Sequence, residues 1–178
     1  MLAPLSQEHG KLVIAEQVLI VLKRLHDAGV RAYITGGWGV DALIGTQTRP
    51  HADLDIAIDS EREANAINAL EAMGFRGSPE VDWHLVRFVM RDTEGREIDL
   101  HPVRFDEGGN GVQANVDGLP SFHYPAGQLT TGHIDGQTVP CISSSLQFVF
   151  HQGYEPRPRD EHDLCVLHRL PRAGSRGQ

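Results

Sequence analysis

Apolar residues recur at helical spacing near the start of the chain, between about residues 6 and 28. This periodicity predicts an amphipathic helix, and Gly29 is a natural stop for it. A second helical pattern covers residues 60–74, where Ser60 and Glu63 have the spacing of a capping box. Both segments are therefore predicted to pack one apolar stripe against the core.

Strict alternation of apolar and polar residues marks two further segments as half-buried strands. In Asp53-Leu-Asp-Ile-Ala-Ile-Asp59 the acids share one face, and in Glu97-Ile-Asp-Leu-His101 the polar residues do the same. The second segment is predicted to be one arm of a hairpin, with its turn at residues 92–95. The elements expected elsewhere are strands near 31–35, 84–91, 96–103 and 139–142, and helices near 38–44, 144–152 and 159–170.

Residues 106–137 do not follow either periodicity. They are rich in Gly, Pro, Asn and Asp, which favours loops with short strands. The C-terminal tail after Pro171 is predicted to be frayed. The alternation of strands and helices indicates an α/β (α+β) fold with a mixed sheet.

Three acids on the two alternating strands carry the strongest chemical signal. If the strands are neighbours with their apolar faces on one core, Asp99 comes within reach of Asp53 and Asp55. Carboxylates this close repel each other unless a cation joins them. The hard cation that suits oxygen ligands is Mg²⁺, which is usually shared with substrate phosphates. The pattern therefore predicts metal-assisted phosphoryl or nucleotidyl transfer, with Asp99 as a metal ligand or as the general base.

A glycine pair between a predicted strand and helix is the second signal. Gly36 and Gly37 allow the backbone to approach a ligand closely, and the following helix start suits a phosphate. Asp59 shares the face of the other acids but lies at the strand end, where helix N-terminal or turn chemistry is expected. The residues weighed as phosphate, substrate or stacking contacts are Arg49, His51, Arg157, Arg159, His101, Trp38 and Trp83, with core packing expected for Trp38.

Composition limits the classes of partner. The chain has 178 residues, 40% hydrophobic residues and a net charge of −8, which suits a globular domain and disfavours sequence-independent nucleic-acid binding. Cys141 and Cys165 lack metal-ligand spacing, and no zinc pattern involves His26, His84 or His162. A pair of free thiols favours a reduced cytoplasm. No signal peptide or membrane span is predicted, because the apolar runs are short.

The order of these motifs resembles the nucleotidyltransferase superfamily typified by DNA polymerase β. More narrowly, the chain is similar to the small lincosamide nucleotidyltransferases, relatives of the aminoglycoside nucleotidyltransferases. The resemblance covers roughly residues 30–103 and 138–170. The segments that carry it are Gly36-Gly-Trp-Gly-x-Asp41, Arg49-x-His-x-Asp-x-Asp55, Ile98-Asp-Leu-His-Pro102, Val139-Pro-Cys-Ile-Ser143, Phe150-His-x-Gly-Tyr154 and Asp160-x-His-Asp163.

The resemblance implies a polymerase β-like core, Mg²⁺, ATP or another nucleoside triphosphate, and transfer of a nucleoside monophosphate to an antibiotic hydroxyl. Gly36 and Gly37 would cradle the phosphates, while Asp53, Asp55 and Asp99 would bind metal. Arg159 falls where the family tends to carry a basic residue, and Arg49 is a further candidate for the triphosphate. The acceptor would be a lincosamide, and raised antibiotic resistance would follow.

Several alternatives stay open at this stage. The acceptor could be an aminoglycoside, another small molecule, or a protein or tRNA end, although the acidic balance disfavours tRNA. A non-catalytic nucleotide-binding module is the rival class, but it would be expected to have lost one of the three acids. We divide the chain into a nucleotidyltransferase core at 1–137 and a C-terminal strand with a helical appendage at 138–178. The oligomeric state is open, with a homodimer as one arrangement.

Overall fold

A computed structural model of the chain describes residues 11–83, 86–115, 119–152 and 154–170, with side chains described through residue 78 in the first range. The expectations for Trp83, for His84 and for the tail after Pro171 fall outside what is described. The helices are α1 (Ala15–Asp27), α2 (Gly36–Ile44), α3 (Glu63–Glu71), α4 (Ser144–Phe150) and α5 (Pro158–Leu167). The strands are β1 (Ala32–Ile34), β2 (Asp53–Asp59), β3 (Arg76–Trp83), β4 (Arg87–Arg91), β5 (Glu97–Phe105), β6 (Gly111–Gln113), β7 (Phe122–Tyr124), β8 (Leu129–Ile134) and β9 (Gln137–Ile142).

The strands form one mixed sheet in the order β3-β4-β5-β2-β1-β9-β8, and β6 and β7 extend from the far end of β5. Strands β2 and β5 run parallel, as do β1 and β9, while the other pairs are antiparallel. This is the mixed α/β architecture that the sequence predicts. Strand β9 lies beside β1 inside the sheet, although the division of the chain at residues 137 and 138 stays a prediction.

The apolar face of the sheet packs on α1 and α3. Leu54, Ile56 and Ile58 of β2 are fully buried in the same cluster as Leu25 of α1 and Leu70 of α3. Burial of this kind contributes roughly 1.5–3 kcal/mol for each large side chain. The alternation along β2 therefore sends every second residue into this core and leaves its acids on the opposite face.

Several predicted boundaries agree with the structure, and one strand was missed. Ser143 caps α4, since its side chain accepts a hydrogen bond from the Leu146 amide. Asp59 accepts a bond from the Glu61 amide and caps a 3-10 turn that precedes α3, which confirms its predicted turn role. Strand β3 was missed because its sequence has no strict alternation and its register shifts opposite β4.

In the described part of the chain, no helix is long and apolar enough to cross a bilayer.

Candidate active site

A cleft of about 510 Å³ opens on the polar face of the sheet. This volume is in the range of small-molecule sites. Residues of β2 and β5, the start of α2, and parts of β4, β6, β7, α4 and α5 line it. All seven residues predicted for the site line this cleft: Gly36, Gly37, Arg49, Asp53, Asp55, Asp99 and Arg159.

The parallel register of β2 and β5 brings the acids together. Asp55 lies opposite Asp99, and Asp53 lies opposite Glu97, so the predicted adjacency of the two strands is confirmed. His101 follows on the same face, with its Nε2 atom 3.4 Å from Asp55 Oδ1 and 3.9 Å from Asp99 Oδ1. Asp53 stands at the edge of this group, 3.9 Å from Arg159.

Burial and neighbouring charges shift the pKa values of the clustered carboxyl groups. Burial and the neighbouring charge of Asp55 raise the pKa of Asp53 and of Asp99 above the ordinary value. Burial acts on Asp55 in the same direction, but the hydrogen bond and charge of His101 together with the charges of Arg87 and Arg159 outweigh it and lower the pKa of Asp55. For His101, burial is outweighed by Asp55 and Asp99, which raise its pKa. The cluster therefore holds more negative charge than its protein partners neutralise easily.

This donor set fits a divalent cation. Ligand atoms of Asp55, Asp99 and His101 all lie within 4.8 Å of one another. Carboxylate oxygens suit Mg²⁺ or Mn²⁺, whereas an imidazole would favour softer metals. The cluster is compatible with a metal site, although its third member is His101 and the predicted ligand Asp53 lies outside this group.

The glycine turn reaches the cluster directly. Gly36 begins α2 with a φ of +56°, and a Cβ atom placed on it would collide with the Asp55 carboxylate. A Cβ atom on Gly37 would collide with the side chains of Arg49 and His51. Both positions therefore need glycine for close approach, and Gly36 also needs it for its backbone conformation.

Arg49 and Arg159, the two arginines predicted to contact phosphate, differ in how far their guanidinium groups are already paired. The guanidinium of Arg49 is largely engaged, since it donates to both oxygens of Asp163 at 2.7 and 2.6 Å. Burial would lower the pKa of Arg49, but Asp163 raises it above the usual value. Arg159 is about 41% exposed beside Asp53. Arg159 is thus better placed than Arg49 to meet a phosphate that enters the cleft.

A buried polar network holds the loop after α2 against α5. Asp41 accepts bonds from the Thr48 amide and hydroxyl, and pairs with His51 at 2.5 Å. His162 of α5 contacts the Thr48 hydroxyl at 3.0 Å. His51 thus acts within the scaffold, and its ring also stacks on Trp38 at 4.6 Å. Trp38 is buried in the core, as predicted.

Sequence reasoning missed two cleft residues, Arg87 and Gln113. Arg87 pairs with both oxygens of Asp99, and Gln113 lies behind His101. A single arginine at the start of a strand carries no distinguishing pattern, and Gln113 falls in the segment that lacks periodicity. The alternation along β4 shows which residues share a face with Arg87. That this face is the one with the acids follows only from the pairing of β4 with β5, which the sequence does not reveal.

Comparisons with known proteins agree with this geometry. A family model described as aminoglycoside-2''-adenylyltransferase matches residues 17–167. The chain belongs to this adenylyltransferase family. Its members are nucleotidyltransferases, and the chain is therefore an enzyme of the antibiotic-modifying nucleotidyltransferase type.

Individual relatives of both antibiotic classes are similar to the chain. A lincosamide resistance protein of Staphylococcus haemolyticus is 30% identical over 155 residues, 87% of this chain and 94% of that protein. A 2''-aminoglycoside nucleotidyltransferase of Escherichia coli is 36% identical over 131 residues, 71% of this chain and 68% of that protein.

Solved structures of the family share the fold. The lincosamide adenylyltransferase LnuA, solved with lincomycin bound, has a TM-score of 0.81 at 28% identity, over 90% of this chain and all of that one. ANT(2'')-Ia in complex with adenylyl-2''-tobramycin has a TM-score of 0.67 at 20% identity, over 86% of both chains. The second likeness supports the fold alone.

Proposed function

We propose that this family member transfers AMP from ATP to a hydroxyl group of a lincosamide antibiotic in a Mg²⁺-dependent reaction that releases pyrophosphate. The observation that carries the proposal is the pairing of Asp55 with Asp99 across β2 and β5, directly beside the Gly36 turn. A nucleotide triphosphate and a small acceptor would meet in the cleft above this pair.

Each residue of the cluster has a proposed part in the reaction. Asp53, Asp55 and Asp99 would hold Mg²⁺, which when bound supplies charge stabilisation for the entering and leaving oxygens. Gly36 and Gly37 leave room for the phosphates to approach the backbone. Arg159 would contact the triphosphate, with Arg49 as a second, more constrained contact. The contribution of the chain is then mainly positioning and electrostatics.

Asp99 is the proposed acceptor of the proton from the antibiotic hydroxyl. Burial and the charge of Asp55 raise its pKa when no metal is bound, whereas bound Mg²⁺ would lower it, so this step would rely on proximity to the hydroxyl more than on base strength. Arg87 contacts both of its oxygens and fixes their orientation. Asp99 would thus act both as a metal ligand and as the acceptor of the proton.

An aromatic wall supports the choice of a lincosamide. The Phe150 ring packs edge-on against Phe122 at 5.5 Å and Tyr124 at 5.0 Å, and all three line the cleft. Such a wall suits an acceptor with an apolar arm. Leu119 and His123 are neighbours of Phe122 and Tyr124 in the sequence. Their side chains are exposed and do not line the cleft, so they are not part of this wall.

The remaining acids of the cleft disfavour an acceptor with many amines. Asp160 is paired with Arg157, and Asp163 is paired with Arg49. An aminoglycoside would need several acids to receive its amines, whereas a lincosamide carries a single amine. The aminoglycoside remains the second candidate, because the family model and one class of relatives are named for it.

Susceptibility testing of bacteria that express the chain tests the acceptor. We expect raised resistance to lincomycin and clindamycin, and no change when the Asp55→Asn variant is expressed at the same level. Resistance to kanamycin or tobramycin without resistance to lincomycin would contradict the assignment.

We further propose that the enzyme works in the cytoplasm on small molecules. The free thiols of Cys141 and Cys165 support a reducing compartment. A fractionation experiment with the expressed protein would test this location.

A further inference from the structure

A chain of buried hydrogen bonds lies behind His101, on the side away from the carboxylates. The Gln113 amide nitrogen lies 3.2 Å from His101 Nδ1 and donates to the Val86 carbonyl at 2.8 Å. The Tyr124 hydroxyl donates to Gln113 Oε1 at 2.7 Å. Gln113 and Tyr124 are 3% and 2% exposed. Gln113 lies on β6 and Tyr124 on β7.

The partners of Gln113 determine which way its amide points. The Val86 carbonyl can only accept a hydrogen bond, so the atom that faces it must be the amide nitrogen. The opposite orientation would place two acceptors against each other in a buried position, which is unfavourable. The hydroxyl of Tyr124 then completes the set by donating to the amide oxygen.

This orientation also determines the tautomer of His101. An amide nitrogen has hydrogens to donate and no lone pair to accept with, so in the neutral ring His101 Nδ1 is the acceptor. In the neutral ring the proton is therefore on Nε2. That nitrogen points at Asp55, 3.4 Å from Oδ1.

We propose that Gln113 and Tyr124 are positioning residues that hold His101 as a hydrogen-bond donor to Asp55, so that the metal of the proposed reaction is bound through carboxylate oxygens and not through imidazole. A ring nitrogen that carries a proton cannot ligate a metal. The site would consequently select hard dications such as Mg²⁺ and Mn²⁺ over Zn²⁺. The inference rests on the proposed metal-dependent function, and it gives the β6–β7 segment a part in that function.

The first experiment reads the tautomer without metal, nucleotide or antibiotic. The full chain is labelled with ¹⁵N-histidine and studied by NMR under alkaline conditions where the ring is neutral, with the His101→Gln variant used to assign the signal. We expect a protonated Nε2 and an unprotonated Nδ1. A protonated Nδ1 in the wild-type protein would overturn the proposal.

The Gln113→Glu variant replaces the hydrogen-bond donor that faces His101 Nδ1 with an acceptor. Its carboxylate would accept a hydrogen bond from Nδ1–H, so that a metal in the cluster can take the Nε2 lone pair. We expect the ratio of Zn²⁺ to Mn²⁺ affinity to rise by at least about 10-fold, the lower end of the effects seen when the partners of metal ligands are changed. The matched control is Gln137→Glu, which adds the same charge at an exposed glutamine on β9, and the ratio should stay unchanged there.

Bound Mn²⁺ gives a second readout in the wild-type protein. Electron paramagnetic resonance with ¹⁵N-histidine should show no directly coordinated histidine nitrogen in the wild type, and one in Gln113→Glu. A coordinated nitrogen in the wild type that is lost in His101→Gln would overturn the proposal, as would an unchanged metal preference in Gln113→Glu. Since none of these measurements requires turnover, a failure to transfer nucleotide would count against the proposed function alone.

Discussion

Asp55 is the residue on which the other parts of the site converge. Its carboxylate contacts His101, lies opposite Asp99 and leaves no space for a side chain on Gly36. The period of two along β2 explains why such a residue can be recognised in the sequence, since the same alternation buries Leu54 and Ile56.

Replacing Asp55 by Asn should remove activity without removing the fold. We expect nucleotide transfer to fall by at least about 100-fold, because a neutral amide is a poor ligand for a hard cation. The free energy of unfolding should fall by only about 1–2 kcal/mol, because the lost interaction with His101, which lowers the pKa of Asp55, is partly offset by relief of repulsion from Asp99. Asp59→Asn is the matched control on the same strand face and should retain turnover. Turnover near that of the wild type in Asp55→Asn would contradict the role of this carboxylate.

Gly36→Ala should weaken metal binding through a steric effect. Its new methyl group would displace the Asp55 carboxylate, and we expect the affinity for Mn²⁺, measured by calorimetry, to fall by about 10-fold or more. Gly45→Ala is the matched control, because Gly45 also has a positive φ but has open space around it. Both variants should lose about 1–2 kcal/mol to backbone strain, yet only Gly36→Ala should lose metal affinity. Equal affinities in the two variants would rule out the steric explanation.

Among the elements, helix α5 is held to the cleft most directly by the ion pair between Asp163 and Arg49. Asp163 is buried and receives two bonds from Arg49, whose loop connects α2 to β2. The element could be predicted from its apolar spacing and the proline at its start. Its partner could not, because the two residues of the ion pair are far apart in the sequence and each resembles an ordinary surface charge.

Asp163→Asn should destabilise the protein by about 3 kcal/mol, because it leaves the buried Arg49 charge without its counter-charge. Urea unfolding is the suitable measurement, since guanidinium salts screen ion pairs. Glu161→Gln, at an exposed position of the same helix, should change stability by less than about 0.5 kcal/mol. Equal effects of the two substitutions would show that the ion pair is not structural.

The hairpin between β4 and β5 should contribute stability that depends on pH. Burial would raise the pKa of Asp92, but bonds from the Arg96 side chain and from the Arg96 and Glu94 amides hold it below the usual range. A lowered pKa in the folded state means that this stabilisation is complete above the unfolded value of about 3.9 and is lost as the pH falls through the folded pKa.

Asp92→Asn should therefore cost about 1–2 kcal/mol at neutral pH, and the difference from the wild type should shrink below about pH 4. Urea unfolding at a series of pH values measures it, with the exposed turn residue Glu107 changed to Gln as the control. A difference that stays constant down to low pH would argue against the ionised carboxylate as its source.

At the scale of the whole molecule, the sequence predicted the sheet better than its edges. Alternation identified β2 and β5, and their common core implied that they are neighbours. The structure of residues 106–137 was not predictable in this way, because β6 and β7 are short and Gln113 looks like any polar loop residue. The pairing of Arg87 with Asp99 was also out of reach, since it depends on the register between β4 and β5.

The central proposal is that a nucleotide and a small antibiotic react in the cleft above Asp55 and Asp99. Mass spectrometry of lincomycin, clindamycin, kanamycin and tobramycin incubated with the protein, Mg²⁺ and each nucleoside triphosphate tests it most directly. We predict that ATP adds the mass of one AMP to a lincosamide, and that neither Asp55→Asn nor a reaction with a metal chelator yields this product. The absence of any nucleotide adduct on all four antibiotics with the folded wild-type protein would contradict the account.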